Sequence, residues 1–554
     1  MKRQVASVTS VLFFVVACLL VQSASAETKL LSPAPDNQVM TAEATAILEQ
    51  EKSVAAVKSV LVAQADVSTL TAATKQIELE LSRDLTATIG ELRMEGSEAG
   101  PIGVWHGRVQ EVRNAAGNAS APADIAGGEV ILAVNGTMIS GTVRYAAKLF
   151  RIVPLGGREH AIIELDESLI PPEGDQETEG PLPVSVYDTV KSERADIPIR
   201  IMLVMSKSAQ ARIADPQGLA RLMFAEANQG LQNSGLAIRF ESAGIFAVNY
   251  NEEGGVEGFE KALAGIGTNS EIQHLRRESF ADTVVMLVTN NALAGKAHTR
   301  AVKSTAFAVV SVGYATGNYT FAHEVGHNIG AGHEGTGSGY AHGYQQKTVS
   351  PYWRTIMAYE CSPRCPRVNY FSDPDRRYNG LPMGVVGNSE NTRVIRERGP
   401  TVAAFFPELP GLQMMLVSPG GANSEIFSEL SVPILPGLEE GVVALSPEVG
   451  PTELIPHTGH NPSTRLNVKL RNAAGRDVNV VLWGRRIRSD NCKSEMNALA
   501  GCTLFPLVFR LEYYPYGENE ALPAGYYNGV LKLEARRPNS DWKMPINIAI
   551  SVRK

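Results

Sequence analysis

The sequence predicts a multidomain protein: an α+β N-terminal part, a central α/β domain on a mixed sheet, and a C-terminal all-β sandwich. Three observations carry that prediction. At 554 residues the chain is too long for one hydrophobic core. Between Ile197 and Val312, apolar strand-like runs alternate with helical stretches, the pattern of a sheet crossed by helices. From Thr464 onward, short strand-like runs follow one another with only turns between them.

Taken in order, Met1-Lys2-Arg3 precede an apolar run from Val11 to Val21 and then Ala24-Ser25-Ala26. That layout predicts a signal peptide over residues 1–26, cut before Glu27, and therefore a secreted chain, with periplasmic or cell-surface retention as variants. The competing readings are an uncleaved anchor, for which the run is short, and lipid processing at Cys18, which the apolar Leu19-Leu20 argue against. No later segment is long and apolar enough to span a bilayer, so no stable membrane insertion is expected after signal removal. The net charge is −7, and loss of Lys2 and Arg3 takes it to −9. Such an acidic balance gives a nucleic-acid partner no electrostatic support.

Residues 27–196 form the N-terminal unit. Its first part, to about residue 95, is rich in Ala, Glu, Lys, Leu and Val and predicts helices around Ala42–Leu61 and Thr69–Met94. From Gly103 the pattern changes to a small antiparallel β domain, with strands at Val104–Val112, Glu129–Val134, Thr137–Tyr145, Leu149–Val153 and Ala161–Leu165. Asn135-Gly136 and Gly156-Gly157 are its turn signals. The run Pro171-Pro172-Glu-Gly-Asp-Gln-Glu-Thr-Glu-Gly-Pro then reads as an acidic linker, exposed and easily cut.

The central domain spans residues 197–407. Strands are expected at Ile199–Met205, Leu236–Phe240, Thr283–Thr289 and Thr305–Val312. Asp215-Pro216 predicts a helix start, a capping side chain before a first-turn proline. The strand at Thr305–Val312 is either a core strand or the sheet edge to which a peptide would add. Residues 408–463 read as a Pro- and Gly-rich linker, and 464–554 as the β-sandwich. The sandwich carries no catalytic constellation; it could bind a surface or glycan, or act as a passive stabiliser. Tyr513, Tyr514, Tyr516, Tyr526 and Tyr527 are either a contact patch or core.

Without Cys18 four cysteines remain, and an even count in an exported chain favours disulfides. Cys361–Cys365 and Cys492–Cys502 are the simplest of three connectivities. Metal ligation by Cys361 and Cys365 is the weaker alternative, since no second pair lies nearby.

The chemistry concentrates in Thr320–Glu334. His323 and His327 are four residues apart, so on a helix both imidazoles lie on one face and reach one metal. Glu324 sits beside the first ligand, placed to act on a water without being a ligand itself. From an unbroken helix His333 would point roughly 240° away. Gly330 lets the chain leave the helix, because glycine enters left-handed backbone without penalty, and His333 can then return to the same metal. Three neutral imidazoles match a catalytic zinc site with one open position, and the substrates implied are proteins or peptides. Calcium is left unassigned.

His323-Glu324-Val-Gly-His327-Asn-Ile-Gly330-Ala-Gly-His333, with Thr355-Ile356-Met357-Ala358-Tyr359 downstream, resembles the metzincin zinc endopeptidases. Met357, 24 residues after His333, looks like that clan's Met-turn. Gly313–Glu324 and Asn369-Tyr-Phe-Ser-Asp-Pro are similar to the bacterial reprolysin-like enzymes that include the peptidyl-Asp metalloendopeptidases. The resemblance covers residues 197–407, with a weaker likeness of 103–165 to the propeptides of those enzymes. It implies a zymogen, a metzincin catalytic domain, zinc on His323, His327 and His333, and Glu324 as general base. It leaves Tyr359 as either an oxyanion-stabilising or a buried tyrosine. Glu334 departs from the Asp usual after the third histidine. Acidic specificity would need a cation in the pocket, and Arg364, Arg367, Arg376 and Arg377 are either that cation or solvated surface. No cysteine occurs in residues 27–196, so inhibition must use another group, with His160 and Asp166 as candidates, or occlusion. The alternative to an enzyme is a surface-binding, adhesin-type protein on a degenerate metzincin fold, which the intact Glu324 argues against.

Overall fold

The computed structural model describes residues 29–177 apart from 36, 72, 96–101 and 121–127, and residues 197–406 apart from 336–338; beyond 406 it describes the strands named below with a few flanking positions. The signal-peptide region, residues 178–196, Cys492 and Cys502 lie outside the described residues.

Among the described residues of the N-terminal unit, nine strands build its barrel: β1 Lys29–Pro33, β2 Val57–Ala65, β3 Ile77–Ser82, β4 Leu85–Glu95, β5 Ile102–Asn114, β6 Glu129–Asn135, β7 Met138–Tyr145, β8 Lys148–Gly156 and β9 Glu159–Leu165. They close into a barrel in the order β1-β2-β9-β8-β7-β6-β5-β4-β3, around a core that includes Leu79, Ile89, Trp105, Leu132 and Phe150. This corrects the helices expected before residue 95. Among the described residues before 95 the one α-helix is α1, Ala42–Lys52, capped by the Thr41 side chain on Ala44 N, with a single 3-10 turn at Val67–Thr69. After it, Val57–Ala65 carries β-branched residues that favour a strand. Ile77-Glu-Leu-Glu-Leu alternates with period two, and Ile77, Leu79 and Leu81 are all buried; composition had masked that period.

The barrel docks on the central domain through buried charge. Glu51 of α1 lies between Arg151 of β8 (3.4 Å) and Arg212 of the central domain (2.7 Å). Arg144 donates to Gly317 O at 2.7 Å while paired with Glu167. Glu226 accepts from Thr142 of β7 (2.7 Å) and from Gly317 N (2.9 Å). Burial, only partly offset by those two donors, raises the Glu226 carboxyl to about 7. A folded-state pKa above the unfolded value means the contribution is fully present below about 4.5 and is lost as pH rises through about 7. Glu226→Gln should therefore flatten the fall in stability between these pH values by on the order of 1–3 kcal/mol, read as melting temperatures of both proteins across the range.

The central sheet contains β10 Gly174–Glu177, β11 Ile197–Met205, β12 Ile238–Ala247, β13 Thr283–Val288, β14 Gly295–Thr299 and β15 Phe307–Ser311, in the order β10-β14-β15-β13-β11-β12. Strands β12, β11, β13 and β15 run parallel, and β14 is antiparallel to β15. Helices α2 Lys207–Arg212 and α3 Pro216–Asn233 follow β11; α4 Gly255–Thr268 and α5 Ser270–Glu278 lie between β12 and β13. Asp215 caps α3 through Gly218 N at 3.0 Å, with Pro216 in the first turn. Two cores flank the sheet, one with α3 against Ile201, Leu203 and Val310, the other with α4 and α5 against Met202, Val284 and Met286.

One open alternative closes here and one expectation fails. Phe307–Ser311 is an interior strand, not the sheet edge, because Gly295–Thr299 pairs outside it. The acidic run after Pro171 is not wholly an exposed linker either: Glu173 is buried, and Gly174–Glu177 pairs parallel with β14, Gly174 opposite Lys296.

The C-terminal strands are β20 Leu412–Val417, β21 Ile426–Val432, β22 Ala444–Pro447, β23 Leu454–Ile455, β24 Ser463–Asn472, β25 Asp477–Arg488, β26 Leu507–Tyr513, β27 Tyr526–Arg536 and β28 Lys543–Arg553, numbered after the short pairs β16 Gln345–Gln346, β17 Trp353–Arg354, β18 Asp373–Tyr378 and β19 Leu381–Met383. Four of these strands fall within the expected linker 408–463. The nine described strands share one hydrogen-bonded ladder, in which the 11-residue β27 pairs with β28 along its length, with β24 at one end and with β22 at the other. Asn528 of β27 donates to Ala247 O at the end of β12. Tyr527 is buried, so it belongs to the core; the side chains of Tyr513, Tyr514, Tyr516 and Tyr526 lie outside the described residues.

Candidate metal centre

Helix α6, Thr320–Ile329, is buried along its whole length. Gly330, at φ +126°, ends it, and Gly330 N and Ala331 N both close on Gly326 O. The chain then bridges Gly332 to His342, and Asn391 at the start of α7, Asn391–Val402, donates to Gly332 O. That return path brings His333 back to the helix.

The Nε2 atoms of His323, His327 and His333 are mutually 3.0 Å apart. His323 Nδ1 donates to Ile356 O at 2.8 Å and His327 Nδ1 to Ala331 O at 2.9 Å. A carbonyl can only accept, so in neutral rings those two Nε2 atoms carry lone pairs aimed at one another. Burial holds His323 well below the usual imidazole range, so it does not charge to relieve the repulsion. A central cation does. Ligand nitrogens at 2.0–2.1 Å in a tetrahedron lie about 3.3 Å apart, close to this spacing. Among the described residues, these three histidines form the one cluster able to hold a metal.

Met357 is fully buried beneath α6, and a Cβ at Gly326 would meet its sulfur at 2.8 Å. The loop that carries Met357 is held by Arg354, which donates to Ala358 O and Cys365 O. Cys361 and Cys365 form a disulfide just beyond it, which removes them as metal ligands. Glu334 accepts from Tyr359 N (2.8 Å) and Gln345 (3.1 Å), so the residue that departs from the expected Asp pins Tyr359. The Tyr359 ring lies 3.9 Å from that of His333, and its hydroxyl donates to Glu173 O at 3.4 Å. It is only partly buried, with its ring against His333. His342 supports His333 from behind, Nδ1 donating to His333 O at 3.0 Å.

Glu324 is buried beside Gly295 of β14: a Cβ on that glycine would lie 2.5 Å from Glu324 Oε1. Gly295→Val should displace the carboxylate and lower turnover roughly 10–100-fold while metal content, measured by elemental analysis, stays the same.

Four arginines were possible pocket cations. Arg364, Arg376 and Arg377 are exposed, and only Arg367 is taken inside. His160 and Asp166 are not at the metal. His160 is locked in the barrel between Ile139 N and Arg158 O, with burial lowering its pKa to about 4, and Asp166 caps Ser168. Sequence reasoning missed Gly295 and Glu173, because what matters at each is a partner far away in the chain.

Three convergent imidazoles with a carboxylate on the same helix, against a mixed sheet, define a metal-dependent hydrolase. A model of metallo-peptidase family M12, Reprolysin_5, matches residues 199–372. A peptidyl-Asp metalloendopeptidase of Stenotrophomonas maltophilia is 36% identical over 328 residues, covering 56% of this chain and 78% of that protein. One from Xanthomonas campestris pv. campestris is 31% identical over 409 residues, covering 70% and 96%. Among solved structures, metalloproteinase-II from Bacteroides fragilis matches with a TM-score of 0.29 and 13% identity, over 48% of this chain and 83% of that one. With such relatives aligned over most of their length, the chain belongs to the reprolysin-like, peptidyl-Asp metalloendopeptidase family. It is a metallopeptidase, and its substrates are proteins or peptides.

Proposed function

We propose that this chain is a secreted zinc endopeptidase made as a zymogen, with residues 27–196 as propeptide, 197–407 as catalytic domain, and zinc on His323, His327 and His333. The observation that carries the reading is the set of three Nε2 atoms 3.0 Å apart, with two rings fixed by carbonyls. Export rests on the signal-like segment ahead of Glu27. Zinc, when bound, supplies Lewis-acid charge and lowers the pKa of a water towards ~7. Glu324 takes the proton of the attacking water and passes it to the leaving amine. The Tyr359 hydroxyl, already on a peptide carbonyl, donates to the oxygen on which charge develops. Once β10 leaves, β14 becomes the sheet edge and a substrate strand adds there. A preference for acidic residues is carried over from the relatives' name. A protein digest with and without a zinc chelator tests the reading: chelation should abolish cleavage, and undiminished cleavage would refute it.

A further inference from the structure

Outside the metal cluster, the site's unexplained feature is a buried ion pair between distant segments. Arg367 Nη1 lies 2.6 Å from Glu173 Oε1, and both side chains are almost entirely out of solvent. Arg367 is preset for this contact, donating also to Asn318 O at 3.0 Å and to Ala358 O at 3.2 Å. Ala358 sits between Met357 and Tyr359, so the guanidinium is anchored to the loop beneath the metal. Glu173 meets the site at two further points. Its carbonyl accepts from Tyr359, whose ring lies tilted against that of His333, and the next residue, Gly174, begins the strand on β14. Its carboxylate is not a fourth ligand, since the metal-holding cluster contains the three histidines alone. Main chain at the sheet edge, carbonyl near the metal and side chain in a pocket are what a bound peptide would present.

Taking out of water a guanidinium with no partner is costly, so a buried arginine beside a cleft implies a carboxylate that completes it. Burial alone would raise the Glu173 carboxyl, but the paired Arg367 guanidinium outweighs it and holds the carboxyl well below its usual range. Arg367 also lines a cavity of about 830 Å³ between the barrel and the central domain, shared with Arg364, Trp353 and Tyr378 of its own domain, which departure of the barrel would open to a peptide.

We propose that Arg367 is the residue that selects an acidic side chain beside the scissile bond, and that in the uncut chain Glu173 fills that position as an internal stand-in for substrate. The inference rests on the peptidase reading above and adds the residue that reads the substrate and the residue that blocks it. Latency and specificity then share one contact.

The test uses the full chain, uncut, with two quenched fluorescent peptides that differ only in Asp or Asn at the cleavage position. Glu173→Gln should raise turnover by the uncut chain roughly 10-fold or more and keep the Asp-over-Asn ratio of the processed enzyme. Arg367→Gln should bring that ratio down by roughly 100-fold, towards unity. Because Arg367 is buried, a second measurement stands apart from its folding. A synthetic peptide of residues 169–177 should inhibit processed wild-type enzyme competitively, and the same peptide with Gln at position 173 should do so at least about 10-fold less well. Unchanged latency in Glu173→Gln, or equal inhibition by the two peptides, overturns the proposal. Chelator sensitivity on the same preparations reports separately on the peptidase reading.

Discussion

Replacing Glu324 with Gln should lower peptide hydrolysis by roughly 10²–10⁴-fold while the chain still binds zinc. Gln keeps the size of the side chain that fills the space beside Gly295, so α6 and the three imidazoles should stay in place. What it removes is the ability to accept and then return a proton. Steady-state rates with elemental analysis of the same sample check both halves of the statement. Equal rates for the two proteins would mean that another group moves the proton.

His327→Ala has the second large effect, and it acts through the metal. His327 is fully buried, with Nε2 in the cluster and Nδ1 on Ala331 O. Groups that merely orient a metal ligand are worth about 10–100-fold in affinity, so loss of a ligand should cost more than roughly 100-fold. Zinc titration by calorimetry should show that loss, with hydrolysis falling below detection. The two substitutions separate the roles: one spares the metal and loses turnover, the other loses both.

The metal centre was the most legible part of the sequence because its logic is local. Helical periodicity places His323 and His327, and one glycine at φ +126° redirects the chain for His333. Met357, packed under α6, was legible because it follows closely in the chain. Elements that depend on distant partners were hidden. Nothing in Glu173-Gly-Asp says that this acidic run joins a sheet more than 100 residues ahead, yet Gly174 lies opposite Lys296. The same holds for Gly295, whose missing side chain matters only because Glu324 packs there. The first barrel strands were lost to helix-like composition, although Ile77, Leu79 and Leu81 carried the period of a strand. At the C-terminus, Pro and Gly between Leu412 and Ile455 disguised four short strands as a linker.

The most direct test of the account is zinc add-back to metal-depleted protein, with hydrolysis of a defined peptide followed against zinc added per chain. The account predicts no hydrolysis at the start and recovery that saturates at about one zinc per chain, as a single site with three histidine ligands requires. Full hydrolysis by the metal-free chain, or a recovery that His327→Ala reproduces, would contradict it.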